Sequence, residues 1–139
     1  MNRRELLGTG AGLALATPFA VAAAQWSSAG PVAAVVSDAR FPQSARYAEL
    51  VGGSGCITFD RGEDLMALCR NDLAPWLQSR SGPGLRLAGL TQYSDFLVLR
   101  DVARDAGLRQ VRIVQHDGAR KPVPGYRTVS LTAWMFAQA

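Results

Sequence analysis

Residues 31–53 read PVAAVVSDARFPQSARYAELVGG, and the order of their chemistry decides the fold class. Val32 to Val36 is an unbroken apolar run, too short for a helix and rich in Val, which is how a strand buried on both faces reads. The chain then turns polar over Ser37-Asp38-Ala39-Arg40. Pro42 suits a first helical turn, a helix is expected over about Gln43 to Val51, and Gly52-Gly53 ends it. The unit is strand, turn, helix.

The unit recurs. Cys56 to Phe59 reads as a second strand, after which Asp60 can cap a helix and Glu63 can reach back to it. That helix should carry Leu65, Met66, Leu68 and Cys69, and Asn71 with Pro75 should break it. Leu85 to Leu90 is a third strand, with Thr91 or Ser94 capping a helix whose Phe96, Leu99, Ala103 and Ala106 recur at three-to-four spacing. Val111 to Gln115 is a fourth strand, Asp117-Gly118 a turn, and Tyr126 to Ala133 a fifth strand. With no helix between the last two strands, that pair should be antiparallel. The expected fold is therefore α/β, a small three-layer sandwich around a mostly parallel sheet of about five strands with an antiparallel C-terminal strand. Trp134-Met135-Phe136 is expected in its core, an exposed partner surface being the other reading.

Upstream of this pattern the chain has a different character. A short basic start with Arg3 and Arg4 precedes an uncharged stretch from Leu6 to Ala24, and small residues recur at Ala20-Val21-Ala22 and Ala22-Ala23-Ala24, the layout of a cleavable export signal. Three glycines and Pro18 make the stretch a poor membrane span. The expected organisation is a cleavable signal over 1–24, cut after Ala22 or Ala24, a flexible lead-in over 25–31 and one α/β domain over 32–139. No stable membrane anchor is expected after cleavage.

Within this leader, Asn2-Arg3-Arg4-Glu5-Leu6-Leu7 resembles the twin-arginine (Tat) signal. The resemblance covers the leader alone. It implies recognition of Arg3 and Arg4 by the Tat translocase, a periplasmic or secreted destination, and passage in a folded state, commonly with a cofactor or a partner.

In open α/β sheets ligands bind beyond the carboxyl ends of the strands. Here those ends carry Asp38 and Arg40, Asp60, Thr91 and Ser94, and His116. Arg40 with the helix start at Thr91 and Ser94, beside Asp60, is the candidate ligand site, suited to a phosphate or carboxylate. His116, Ser94 and Asp38 are the candidate catalytic groups, with His116 moving a proton. Ser94 lacks the Gly-x-Ser-x-Gly setting that exposes a nucleophile, and Asp38 with Asp60 does not by itself specify a metal. All of these residue types also serve as ordinary helix caps and turns.

Cys56 and Cys69 are the two cysteines of the chain, an even pair in an exported protein. A strand rise of about 13 Å followed by a helical descent of about 13 Å returns Cys69 to the level of Cys56. A bridge is expected, two packed free thiols being the other reading. Fifteen basic against eleven acidic residues give a net charge of +4 without a basic run, which argues against nucleic acid as a partner. No cofactor is expected, because Gly52-Gly53-Ser54-Gly55 follows a helix instead of opening one. These features point to an exported soluble accessory protein that binds a partner, such as the small subunit of an exported redox complex. The alternative is a small periplasmic enzyme or anion-binding domain using the strand-end edge.

Overall fold

The computed structural model describes residues 18–28, 30–119 and 129–139. Arg3 and Arg4 lie outside them, as do residues 126–128 of the expected fifth strand. The elements are α1 (Pro18–Ser28), β1 (Ala34–Ser37), α2 (Pro42–Val51), β2 (Ile57–Asp60), α3 (Leu65–Leu68), a π-helical segment (Cys69–Leu73), α4 (Ala74–Arg80), β3 (Arg86–Gln92), α5 (Tyr93–Asp105), β4 (Arg109–Ala119) and β5 (Val129–Ala137). The fold is α/β, as the strand-helix alternation predicts.

One sheet runs β2-β1-β3-β5-β4. β1 pairs parallel with β2 and β3, while β5 lies antiparallel between β3 and β4. Thus β1 to β4 share a direction and the C-terminal strand alone opposes it.

Alternation sorts the side chains onto two apolar layers. Val35, Ala88, Leu90, Leu131, Ala133 and Met135 face α1 and α2. Ala34, Val36, Leu87, Trp134 and Phe136 face the helices that follow β2 and β3. The aromatic tail is core: Phe96 of α5 stacks on Phe136, with ring centroids 5.9 Å apart. Gly89 lies opposite Trp134, and a Cβ there would run into the indole. Glycine lets β3 pass beneath the largest side chain of this layer.

Local chemistry departs from expectation in several places. Asp64, and not Asp60, caps the helix after β2, its carboxylate accepting from the Ala67 N–H at 3.0 Å. The helix does not break at Asn71 and Pro75; it widens into the π segment and continues. Pro75 has no N–H to give, and the wider turn absorbs the lost bond. Asp117-Gly118 is no turn, because β4 runs to Ala119 with a register shift between His116 and Ala119. The lead-in expected over 25–31 is helical to Ser28, so α1 runs through both expected cleavage positions, Ala22 and Ala24.

The expected Cys56–Cys69 bridge is absent, both thiols being free. They lie on opposite faces of the sheet. Cys56 packs in the layer of α2 and Cys69 in the other. Phe59 faces the Cys69 layer and touches Trp76. Counting back by alternation, Cys56 must face away from it. Burial pushes both thiols up from their ordinary value, with Asp95 adding to the effect at Cys69.

Candidate functional site

β2 and β3 flank β1 on either side, which makes the carboxyl ends of β1 and β3 the switch point where doubly wound sheets open a crevice. Asp38 follows β1 directly, and α5 begins directly after β3. The backbone N–H of Asp38 donates to Ser44 Oγ at 2.7 Å, and that hydroxyl donates to the Leu90 carbonyl at 2.6 Å. Ser44 thereby ties the first turn of α2 to both β1 and β3 from a fully buried position.

Two arginines fill the crevice. Arg40 grips Asp38 through two bonds, Nε to Oδ1 at 2.9 Å and Nη2 to Oδ2 at 2.6 Å. Its Nη2 also donates to Gln92 Oε1 at 3.2 Å and lies 3.6 Å from Asp95 Oδ2. Arg61, from the turn after β2, donates Nε to Asp95 Oδ2 at 2.7 Å and Nη2 to Oδ1 at 3.4 Å. Its Nη1 donates to the carbonyls of Gly62 and Glu63. Asp38 is only 1 % exposed and Asp95 is also buried, so two buried aspartates are charge-matched by two partly exposed arginines in one network. The bond to Asp38, chief among the causes, raises the pKa of Arg40 and strengthens its hold on its proton.

Beside the network a cleft of about 410 Å³ opens between the turns after β1 and β2, lined by Asp38, Ala39, Arg40, Asp60, Arg61, Gly62 and Glu63. Three carboxylates meet two guanidinium groups there. Asp60 is exposed and accepts from the Ala39 N–H at 3.3 Å.

Of the expected site residues, Arg40, Asp38 and Asp60 do converge. Thr91 does not join them: it is buried, donates to the Gln92 carbonyl and accepts from Trp134 Nε1 at 3.1 Å. Ser94 is exposed on the first turn of α5. Neither residue caps that helix, whose N-cap position is held by Gln92 without a side-chain bond. His116 pairs in β4 with Leu131, the residue that also faces Gln92. It is therefore at the level of the site but two strand spacings away, about 10 Å. Arg61, Asp95, Gln92 and Ser44, which no sequence motif marks, complete the network. An acid in the first turn of the helix after a parallel strand is the one local signal that marks Asp95.

Chemically, the network stitches three loops together. Each guanidinium already faces a carboxylate, so an added anion would compete with a built-in one at hydrogen-bond distance. Among the described residues no group of three His, Cys, Asp or Glu side chains is placed to hold a metal ion.

No family model matches this chain, and no curated protein matches it. A proposed RNA methyltransferase from Pyrococcus horikoshii is a solved structure that it resembles, at 9 % identity and a TM-score of 0.41, over 87 % of this chain and 81 % of that one. A likeness at this level carries no implication for activity.

Proposed function

We propose that this chain is an exported accessory protein that binds a larger exported protein, in the manner of the small subunit of a redox complex, and that it brings no cofactor of its own. The twin-arginine resemblance of the leader supports a periplasmic or secreted destination through the Tat translocase. The observation that carries the binding role is the outer edge of the sheet. β4 is eleven residues long and ends the sheet. Val111 and Ile113 are 36 % and 41 % exposed there, next to exposed Arg109 and Arg112. Among the described residues no strand pairs with the outer edge of β4, and an open edge with apolar side chains is a template for strand addition. The arginines favour a partner strand bearing carboxylates.

The test is the native mass of the protein recovered from the exported fraction. A hetero-complex containing this chain is expected, and Ile113→Glu should release it as a monomer with an unchanged melting temperature, since Ile113 is exposed. Arg3→Lys with Arg4→Lys should leave the chain in the cytoplasm, because the translocase reads the arginine pair and not charge alone. A wild-type monomer in the exported fraction would overturn the accessory role, and export of the double-lysine chain would overturn the route.

The cleft beside Asp38 and Arg61 favours a second reading, a ligand-binding domain. Its excess of carboxylates suits a cationic or hydroxyl-rich ligand better than the anion expected from the sequence. A phosphate-dependent rise in melting temperature that Arg40→Ala removes would restore the anion.

A further inference from the structure

Helix α1 buries Phe19, Ala22, Ala23 and Trp26, none more than 5 % exposed. Their spacing of i, i+3, i+4, i+7 makes one apolar stripe. The helix lies beside α2 and reaches over β4, with the Trp26 ring edge-on to Tyr47 at 6.2 Å. α2 packs over β1 and β3, so α1 is the helix that completes the layer over the far half of the sheet. Leu131, Ala133 and Met135 of β5 and the partly buried Val114 of β4 belong to that layer, with Tyr47 and Val51 of α2 beside them.

Cleavage after Ala22 or Ala24 takes Phe19 and Ala22 out of this layer and leaves Trp26 on a stub too short to hold a helix. The floor from Leu131 to Met135 would then face water. A contiguous apolar patch of that kind marks an interaction surface. We propose that this trough, opened by removal of the leader, is where the mature protein receives a helix of its partner; the proposal rests on the exported accessory reading above. α1 itself shows what fits. Two small residues let the helix axis approach the sheet, and an aromatic ring at each end fills the space beside them. The occupant is therefore an uncharged helical stripe of aromatic, two residues, small, small, two residues, aromatic. The trough itself is a sheet face walled by a helix; a strand would pair along the outer edge of β4 and leave this face open.

The experiment uses the protein recovered from the exported fraction, its N-terminus fixed by mass, and a fluorescent synthetic peptide of residues 18–28 as the probe. The processed chain should begin at Ala23 or Gln25 and bind the peptide saturably by anisotropy. A peptide carrying Ala23→Glu should bind more than about tenfold more weakly, since its carboxylate would enter an apolar trough unpaired. The unprocessed Arg3→Lys, Arg4→Lys chain should not bind, its own helix filling the site. The proposal is overturned if the exported chain retains residues 18–28, if the processed chain closes the face by dimerising, or if the peptide fails to bind. A hetero-complex without peptide binding would remove the trough and leave the accessory reading intact. Peptide binding by a chain that is exported alone would uphold the trough as a helix site and remove that reading.

Discussion

Arg61 holds the buried end of Asp95 with two bonds and anchors its own turn with two more. Removing one partner of a buried ion pair costs about 3–5 kcal/mol where the charge left behind is uncompensated, and Arg40, 3.6 Å from Asp95, puts Arg61→Ala at the low end. Arg61→Ala should therefore lower the unfolding free energy in urea by about 3 kcal/mol, and Arg61→Lys should recover only part of it, because an ammonium cannot reproduce the two-pronged contact. An unchanged urea midpoint for Arg61→Ala would mean that water already screens Asp95. The same logic applies to Arg40→Ala, which strips Asp38 of both guanidinium bonds and leaves it the backbone N–H of residue 40 at 3.1 Å; its effect on stability must be separated from any effect on a ligand. These pairings were unequally visible in the sequence. Asp38 and Arg40 are two residues apart and are joined by a bond any strand-end turn can form. Arg61 and Asp95 are 34 residues apart, and only the parallel order of β1, β2 and β3 brings their loops together. Thr91 misled for the opposite reason: its polarity suggested a ligand, whereas its hydroxyl satisfies the indole of a tryptophan 43 residues away.

At the scale of elements, periodicity marks β1 to β5 and the helices after β1, β2 and β3 to within a few residues because burial on a sheet face demands it, while α1 is hidden in the leader pattern; local caps are harder because several acids compete for one position. Asp60, Glu63 and Asp64 all precede α3. Asp64 takes the cap while Asp60 turns to the Ala39 amide. Asp64→Ala should cost about 1 kcal/mol through the lost cap, and Asp64→Asn or Asp64→Ser should restore most of it; equal melting curves for Asp64→Ala and wild type would show that the following π segment tolerates a frayed start. Cys56 and Cys69 match in height along strand and helix, but Cys56 lies three positions before Phe59, just ahead of β2, and alternation turns it to the other face. β4 ran past Asp117-Gly118 because cross-strand pairing with β5 outweighed a local turn preference, a non-local term that no dipeptide carries.

For the whole molecule the decisive question is how many layers the chain with residues 18–28 in place has. The stripe Phe19, Ala22, Ala23, Trp26 has helical period and crosses residue 24, so the expected leader and lead-in share one helix. Its charge-free composition fits an export signal and a buried layer equally well, which is why composition could not choose between them. Stability can. In the full-length chain, accumulated in the cytoplasm as the Arg3→Lys, Arg4→Lys variant, Trp26→Ala should cost about 3–5 kcal/mol, the usual loss for a buried tryptophan truncated to alanine. Val21, 51 % exposed on the outer side of α1, provides the control: Val21→Ala should change stability by less than about 0.5 kcal/mol. Calorimetric melts of the three full-length proteins are the measurement. If Trp26→Ala melts with the control, α1 is not a layer of the folded chain, the far half of the sheet is open with residues 18–28 present, and that chain should then bind the residue 18–28 peptide as readily as one cleaved after Ala22 or Ala24.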